Sequence, residues 1–335
     1  MPQASHTVFD RDDWRLPFKP LFRQGDIQTI AGRYWPVALD EQRWPSQSRF
    51  FQTEPDTQVL GRLNLQSNDA PDETRATVLA VHGLTACDHA PYMLSSAQLA
   101  LEAGFDVVRL NVRNCGGTEH LSPTLYHSGL TSDLRQVVEQ LAPRPLFLLG
   151  FSMGGNMVLK LAGEWGEDPP PHVRAVAAIS APIRLDACSM RIGESRNWVY
   201  EQRFLRQLRA TMRLKARVMP AAYPQPDFSG VNSIWKFDDQ FTAPAFGFRS
   251  AAHYYEQCSS ARFLDQIRVS SLIIQAKDDP YIPFEVFREP AFDENPWINL
   301  TAEPHGGHVA FLSKGARRFW AQRQTMSFFD AVNRY

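Results

Sequence analysis

Short apolar runs alternate with stretches of helical period along most of the chain. Residues 77–82, 105–112, 145–149, 173–180, 272–276 and 297–301 are apolar without strict alternation, the pattern of strands covered on both faces. Between them the apolar spacing fits helices over 93–103, ending at Gly104, and over 131–141, where Thr131-Ser132-Asp133 can cap the start. Two more fit over 156–165, ending at Gly166, and over 319–332. Strand and helix in succession predict an α/β fold: a mainly parallel central sheet flanked by helices. Residues 49–65 suit an added antiparallel hairpin. The rhythm breaks over 184–267, which reads as a helical and loop-rich cap inserted over one end of the sheet. The predicted organisation is an arm (to about residue 48) with the first part of the core in 1–183, the cap in 184–267, and the rest of the core in 268–335.

Composition narrows the class. The chain has 335 residues, 44% hydrophobic and 21% charged, as in ordinary globular proteins. Lys plus Arg is 35 against 36 for Asp plus Glu, a formal charge of −1 that gives no global grip on nucleic acid. No segment approaches about 18 uninterrupted apolar residues, and the charged start lacks a signal-peptide core, so a cytoplasmic protein without stable membrane insertion is expected. Cys87, Cys115, Cys188 and Cys258 are too scattered for a zinc knot or disulfide frame.

The chemistry concentrates at Gly150-Phe151-Ser152-Met153-Gly154-Gly155, a Gly-x-Ser-x-Gly directly after a predicted strand and before a predicted helix. In that setting the serine sits in a tight turn, its neighbours two before and two after must lack bulk, and its Oγ is lifted to the carboxyl end of the sheet. The Met153 N–H at the helix start can face a developing oxyanion. Leu84, after Gly83 in the loop following His82, can supply the second N–H. His82 itself reads as a structural strand-end residue.

A serine nucleophile needs a base and an orienting acid. Lys277-Asp278-Asp279-Pro280 follows the fifth strand and His305-Gly306-Gly307-His308 the sixth, both at carboxyl strand ends. Asp278 and Asp279 compete for the acid; Asp279 is preferred because Pro280 and Pro283 stiffen the turn after it. His305 and His308 compete for the base; His308 is preferred because two glycines let the loop fold sharply and project it. The His-x-x-His pair lacks a third metal ligand at recognisable spacing, and no P-loop or zincin motif occurs, so neither a metal nor a cofactor is expected.

These segments together resemble the α/β-hydrolase superfamily, and more narrowly its YheT-type subgroup, related to the eukaryotic ABHD esterases and lipases. The resemblance extends over Pro17-Phe18-Lys19-Pro20, Gln28-Thr29, His82-Gly83-Leu84-Thr85, Asn111-Val112-Arg113 and Tyr126-His127-Ser128-Gly129. It also covers Gly150 to Gly155, Phe237-Asp238, Tyr254-Tyr255 with Ser259, Ala276 to Pro280, and His305 to His308. It implies a Ser152-His308-Asp279 triad acting on small-molecule carboxylic esters through an acyl-enzyme. Short or medium acyl chains are the expected substrates. Ala86 and Asn114 stand where the subgroup often has glycine; Asn tolerates the left-handed conformation.

In the cap, Phe204, Leu205, Leu208 and Met212 recur at helical spacing, and Trp235, Phe237, Phe241, Phe246 and Phe248 crowd one stretch. Between Arg184 and Arg217, nine Lys or Arg face three acidic residues. An alcohol O-acyltransferase, a lipase or a phospholipase would use the same nucleophile. The His-x-x-x-x-Asp spacing of some acyltransferases is absent, because His127 to Asp133 is one residue too long. A non-catalytic binding protein would have no need of the intact Ser, Asp and His set.

Overall fold

In the computed structural model, which describes residues 13–66 and 73–334, eight strands form one sheet in the order β1-β2-β4-β3-β5-β6-β7-β8. The apolar runs become β3 (Thr77–Val81), β4 (Asp106–Leu110), β5 (Leu146–Phe151), β6 (Val173–Ile179), β7 (Ser271–Ala276) and β8 (Ile298–Glu303), and these six pair in parallel. The predicted hairpin is β1 (Gln47–Glu54) with β2 (Thr57–Asn64), joined antiparallel to the edge of β4. Every residue of β3, β4, β5 and β7 is buried, as expected of strands covered on both faces.

Helices cover the two faces. On one, α3 (Thr131–Leu141) and α4 (Met153–Trp165) press Leu134, Val137, Met157 and Leu161 onto the sheet. On the other lie α2 (Pro91–Glu102) and the C-terminal α8 (Trp320–Asn333), which contribute Met93, Ala97, Phe328 and Phe329. The predicted cap at Thr131–Asp133 is a correction: Leu130 is the N-cap, with no side-chain cap bond. Thr131 instead donates to Glu164 at 2.7 Å, and Asp133 accepts from Nε and Nη2 of the buried Arg113 at 2.5 and 2.6 Å. Tertiary charge-assisted bonds outcompete local capping here.

The arm has a helix that the hydrophobic pattern does not predict, α1 (Gly25–Tyr34). Its first twelve residues, 1–12, lie outside the described residues. The segment 184–267 supplies α5 (Leu185–Ile192), α6 (Trp198–Val218), short turns over 234–245, and α7 (Ala251–Cys258). These enclose their own small cores, with Leu205, Leu208 and Met212 of α6 against Ile234 and Phe237 in one, and Tyr254 and Tyr255 of α7 in another. No helix among the described residues is long and apolar enough to cross a membrane.

One buried cation pins α6 to the sheet's loops. Lys215 donates to Asn114 Oδ1 and Glu119 O, both at 2.8 Å, and to Ser122 O. Asn114 has a positive φ of 59° and also donates to Thr124 O, so asparagine here both makes the turn and receives the pin. Replacing Lys215 by Met strands three acceptors and is expected to lower unfolding stability by about 2–4 kcal/mol in a denaturant melt. A loss below about 0.5 kcal/mol, the range of an ordinary surface change, would contradict the pin.

Candidate active site

Gly150 and Phe151 end β5, and Met153 opens α4 with no intervening loop. Ser152 must therefore reverse the chain by itself, and it takes φ 52°, ψ −120° to do so, a conformation costly for any side chain bearing Cβ. Two features hold it there. Its N–H donates to Ile179 O at 2.9 Å, and its carbonyl accepts from Asn156 N–H at 3.1 Å. The flanking glycines leave the space the turn needs: a Cβ on Gly150 would stand 2.2 Å from Gly154 O, and one on Gly154 would stand 2.4 Å from Val81 O. Ser152 is thus presented at the carboxyl end of the sheet.

The structure brings Ser152 together with His308 and Asp279. Ser152 Oγ donates to His308 Nε2 at 2.9 Å, and His308 Nδ1 donates to Asp279 Oδ2 at 2.9 Å. Asp279 is itself fixed: Oδ1 accepts from Tyr281 N–H at 2.8 Å and Ile282 N–H at 3.2 Å, while Oδ2 also accepts from Gln275 at 3.3 Å. A carboxylate accepting this many donors, all from buried groups, sets both the tautomer and the tilt of the imidazole. Tyr281 lies against the His308 ring with centroids 4.4 Å apart.

Asp278 and His305 form a separate outer pair, 3.5 Å apart. Asp278 accepts from Gly307 N–H at 2.9 Å and so shapes the loop that carries His308, with burial raising its carboxyl above the usual range. His82 is enclosed: Nδ1 donates to Gly83 O at 2.8 Å and Nε2 accepts from Val112 N–H at 3.2 Å. Burial lowers its pKa to about 4, so it is neutral and joins two strand ends.

The part that hydrophobic patterning misses is the support from α1. His308 N–H donates to Thr29 Oγ1 at 2.8 Å, and Thr29 donates onward to Gly25 O at 2.7 Å. Gln28 accepts from Leu312 N–H at 2.8 Å and donates to Leu312 O at 3.0 Å. The contact is backbone-close: a Cβ on Gly25 would stand 1.9 Å from Asp278 O, and one on Gly32 would stand 2.5 Å from the Ala310 Cβ. The spacing Gly25, Thr29, Gly32 places small residues on one helical face, and that was the available signal. Gln28-Thr29 belong to the motifs carrying the resemblance, and this is what they do here.

Two spaces meet at Ser152 and His308. The inner cavity, about 110 Å³, runs under the cap past Met153, Leu208, Met212, Phe237 and Ile282. The outer cleft, about 280 Å³, lies between α1 and α6. Leu84 borders both, and Met153 the inner. The amides beside Leu84 are committed: Gly83 N–H donates to the Tyr92 hydroxyl at 3.1 Å and Thr85 N–H to the Tyr126 hydroxyl at 3.3 Å. His127 lines the inner cavity, its pKa lowered by burial to about 3, and Cys188 borders it too. Of the aromatics in the stretch from Trp235 to Phe248, only Phe237 reaches it. Asp238 borders it as well, taking hydroxyl bonds from Tyr255 at 2.6 Å and Thr242 at 2.7 Å, with burial raising its carboxyl to about 6.

Comparison with known proteins agrees with this architecture. The profile of the alpha/beta hydrolase fold family matches residues 76–315. YheT of Escherichia coli (strain K12), whose name carries a provisional esterase assignment, is 33% identical over 75% of this chain and 74% of its own. Phospholipase ABHD3 of Mus musculus is 30% identical over 71% of this chain, which spans 59% of that longer protein. Among solved structures, Pyrococcus furiosus esterase Pf2001 superposes with a TM-score of 0.55 over 83% of this chain and 92% of that one, at 17% identity, a likeness of fold. The chain belongs to the α/β-hydrolase family.

His82 and His127, both held neutral by burial, give a pH dependence with a definite sign. A histidine held neutral in the fold but ionising near 6.5 when unfolded loses stability as pH falls from about 6.5 towards its folded value. Asp238 works in the opposite sense, losing stability as pH rises from 3.8 to about 6, so a variant comparison is needed to isolate one group. His82→Gln is expected to lower stability at every pH yet flatten the acid side between pH 6.5 and 4, by up to about 3 kcal/mol relative to wild type. Parallel stability curves for the two proteins would show that His82 is not held neutral.

Proposed function

We propose that this α/β-hydrolase is a serine carboxylic ester hydrolase working through Ser152, His308 and Asp279. One observation carries the reading: the chain of hydrogen bonds from the Ser152 hydroxyl through His308 to Asp279, standing where two largely apolar spaces meet. In this reading His308 Nε2 takes the Ser152 proton as Oγ attacks the ester carbonyl. Asp279 holds the imidazole and stabilises it once charged. The N–H groups of Leu84 and Met153 receive the oxyanion, each donor contributing about 3 kcal/mol to the transition state. His308 then hands its proton to the departing alcohol, and water resolves the acyl-enzyme by the same route in reverse.

The inner cavity is the seat for the acyl chain. Its apolar walls favour hydrocarbon, and its size supports a short to medium chain. The names of the relatives, an esterase and a phospholipase, fit ester chemistry at such a site.

The test is hydrolysis of p-nitrophenyl esters from acetate to palmitate. Wild type is expected to turn over the shorter esters best, Ser152→Ala to lose about 10⁴-fold or more in kcat, and Asp279→Asn about 10⁴-fold. Asp278→Asn is expected to keep most of its activity. Turnover retained by Ser152→Ala would overturn the assignment of the nucleophile. Appearance of ethyl ester in place of acid when ethanol is added would move the reading to acyl transfer.

A further inference from the structure

The two spaces that meet at Ser152 differ in charge. The inner cavity is apolar apart from a few polar groups and holds a buried carboxyl, Asp238. The outer cleft is lined by two arginines, Arg33 of α1 and Arg203 of α6, and by no Asp or Glu. The acid of α1 is Asp26, which is engaged by the Tyr200 hydroxyl at 3.0 Å and by Arg196 at 3.5 Å.

Arg33 is exposed and Arg203 half-buried. Burial and then the field of Arg33 both lower the pKa of Arg203, so the two guanidiniums act on each other across the cleft. The field of Arg33 also reaches Tyr92, whose hydroxyl takes the Gly83 N–H next to Leu84. The field of Arg203 reaches Tyr281, the ring against His308. Two like charges flanking a site without a carboxylate between them repel, and an anion between them removes that cost. The planar fork of arginine suits phosphate oxygens in particular.

Direction follows from chemistry. An uncharged acyl chain belongs in the cavity past Met153 and Phe237, where Asp238 would repel an anion. The departing alcohol then falls in the cleft between α1 and α6.

We propose that the outer cleft is an alcohol-side subsite that seats a phosphate group between Arg33 and Arg203, so that the preferred substrates are esters of phosphorylated alcohols. This rests on the ester-hydrolase reading above. Arg33 and Arg203 bind the leaving part of the substrate and take no part in bond making. Their effect therefore falls mainly on KM, and it weakens as salt screens the exposed Arg33.

The experiment compares kcat/KM for 1-butyrylglycerol and 1-butyrylglycerol 3-phosphate, with a second arm using long-chain monoacylglycerol and its 3-phosphate in lipid vesicles. The soluble arm reports a small phosphate ester and the vesicle arm a lipid headgroup. Wild type is expected to favour the phosphorylated partner by about tenfold or more in at least one arm, through KM. In Arg33→Gln/Arg203→Gln that preference should vanish, while 1-butyrylglycerol turnover changes by less than about twofold, which also shows that the variant is folded. Arg203→Lys should keep part of the preference. Equal turnover of the phosphorylated and neutral esters by wild type in both arms, or a preference unchanged in the double variant, overturns the phosphate seat and leaves the esterase reading intact. A preference for charge on the acyl side, tested with ethyl hemisuccinate against ethyl butyrate, overturns the direction assigned to the two spaces. No turnover of any ester by wild type would strike the underlying reading and this one with it.

Discussion

The site depends on one strained residue. Ser152 at φ 52° connects a buried parallel strand to a buried helix without a loop, and in that conformation its Oγ reaches His308 Nε2. The strain is of order 1–3 kcal/mol and persists because the surroundings over-determine the turn. β5 lies between β3 and β6 in the sheet, Ser152 N–H is tied to Ile179 O, and the glycines at 150 and 154 approach carbonyl oxygens where any side chain would clash. A strand buried on both faces cannot slide to relieve the turn without exposing its core, so the energy of the sheet is what keeps the serine raised.

The histidine is held differently. It sits on a loop, and a loop needs anchors to act as a rigid element. Those anchors come from both sides. Asp278 grips Gly307 from the β7 end, while α1, near the start of the chain, supplies Thr29 to the His308 amide and Gln28 to Leu312. Adjacent aspartates therefore divide the work, Asp279 orienting the ring and Asp278 shaping the loop. The α1 contact is possible only because Gly25 and Gly32 let its backbone come close to the loops around Asp278 and Ala310. The arm is thus part of the support of the site, although it lies some 280 positions from the histidine it braces.

How much of this could be read from the sequence follows from which forces are local. The parallel strands were legible because burial on both faces writes continuous apolar runs. The elbow was legible because its strain demands small residues at fixed offsets. The two preferences, Asp279 over Asp278 and His308 over His305, rested on proline stiffness and glycine freedom, and the geometry brings the preferred pair to Ser152. The helix at 25–34 was illegible to hydrophobic patterning because its buried face is Gly25, Gln28, Thr29 and Gly32, which carries no apolar stripe. The start of α3 is illegible for a related reason: Thr131 and Asp133 look like caps, but their partners, Glu164 and Arg113, are distant in sequence. The two-sided character of the space around Ser152 was also hidden, since it arises from α1 and α6 facing each other across it.

If His308 and Asp279 activate Ser152 as proposed, a serine-directed reagent will find it. The most direct measurement is stoichiometric labelling with a fluorophosphonate at neutral pH, followed by mass spectrometry of the digested protein. One adduct per chain is expected, on Ser152, with a labelling rate that collapses in His308→Ala while the protein stays folded. An adduct on another serine, or labelling of Ser152 that proceeds equally fast without His308, would contradict it.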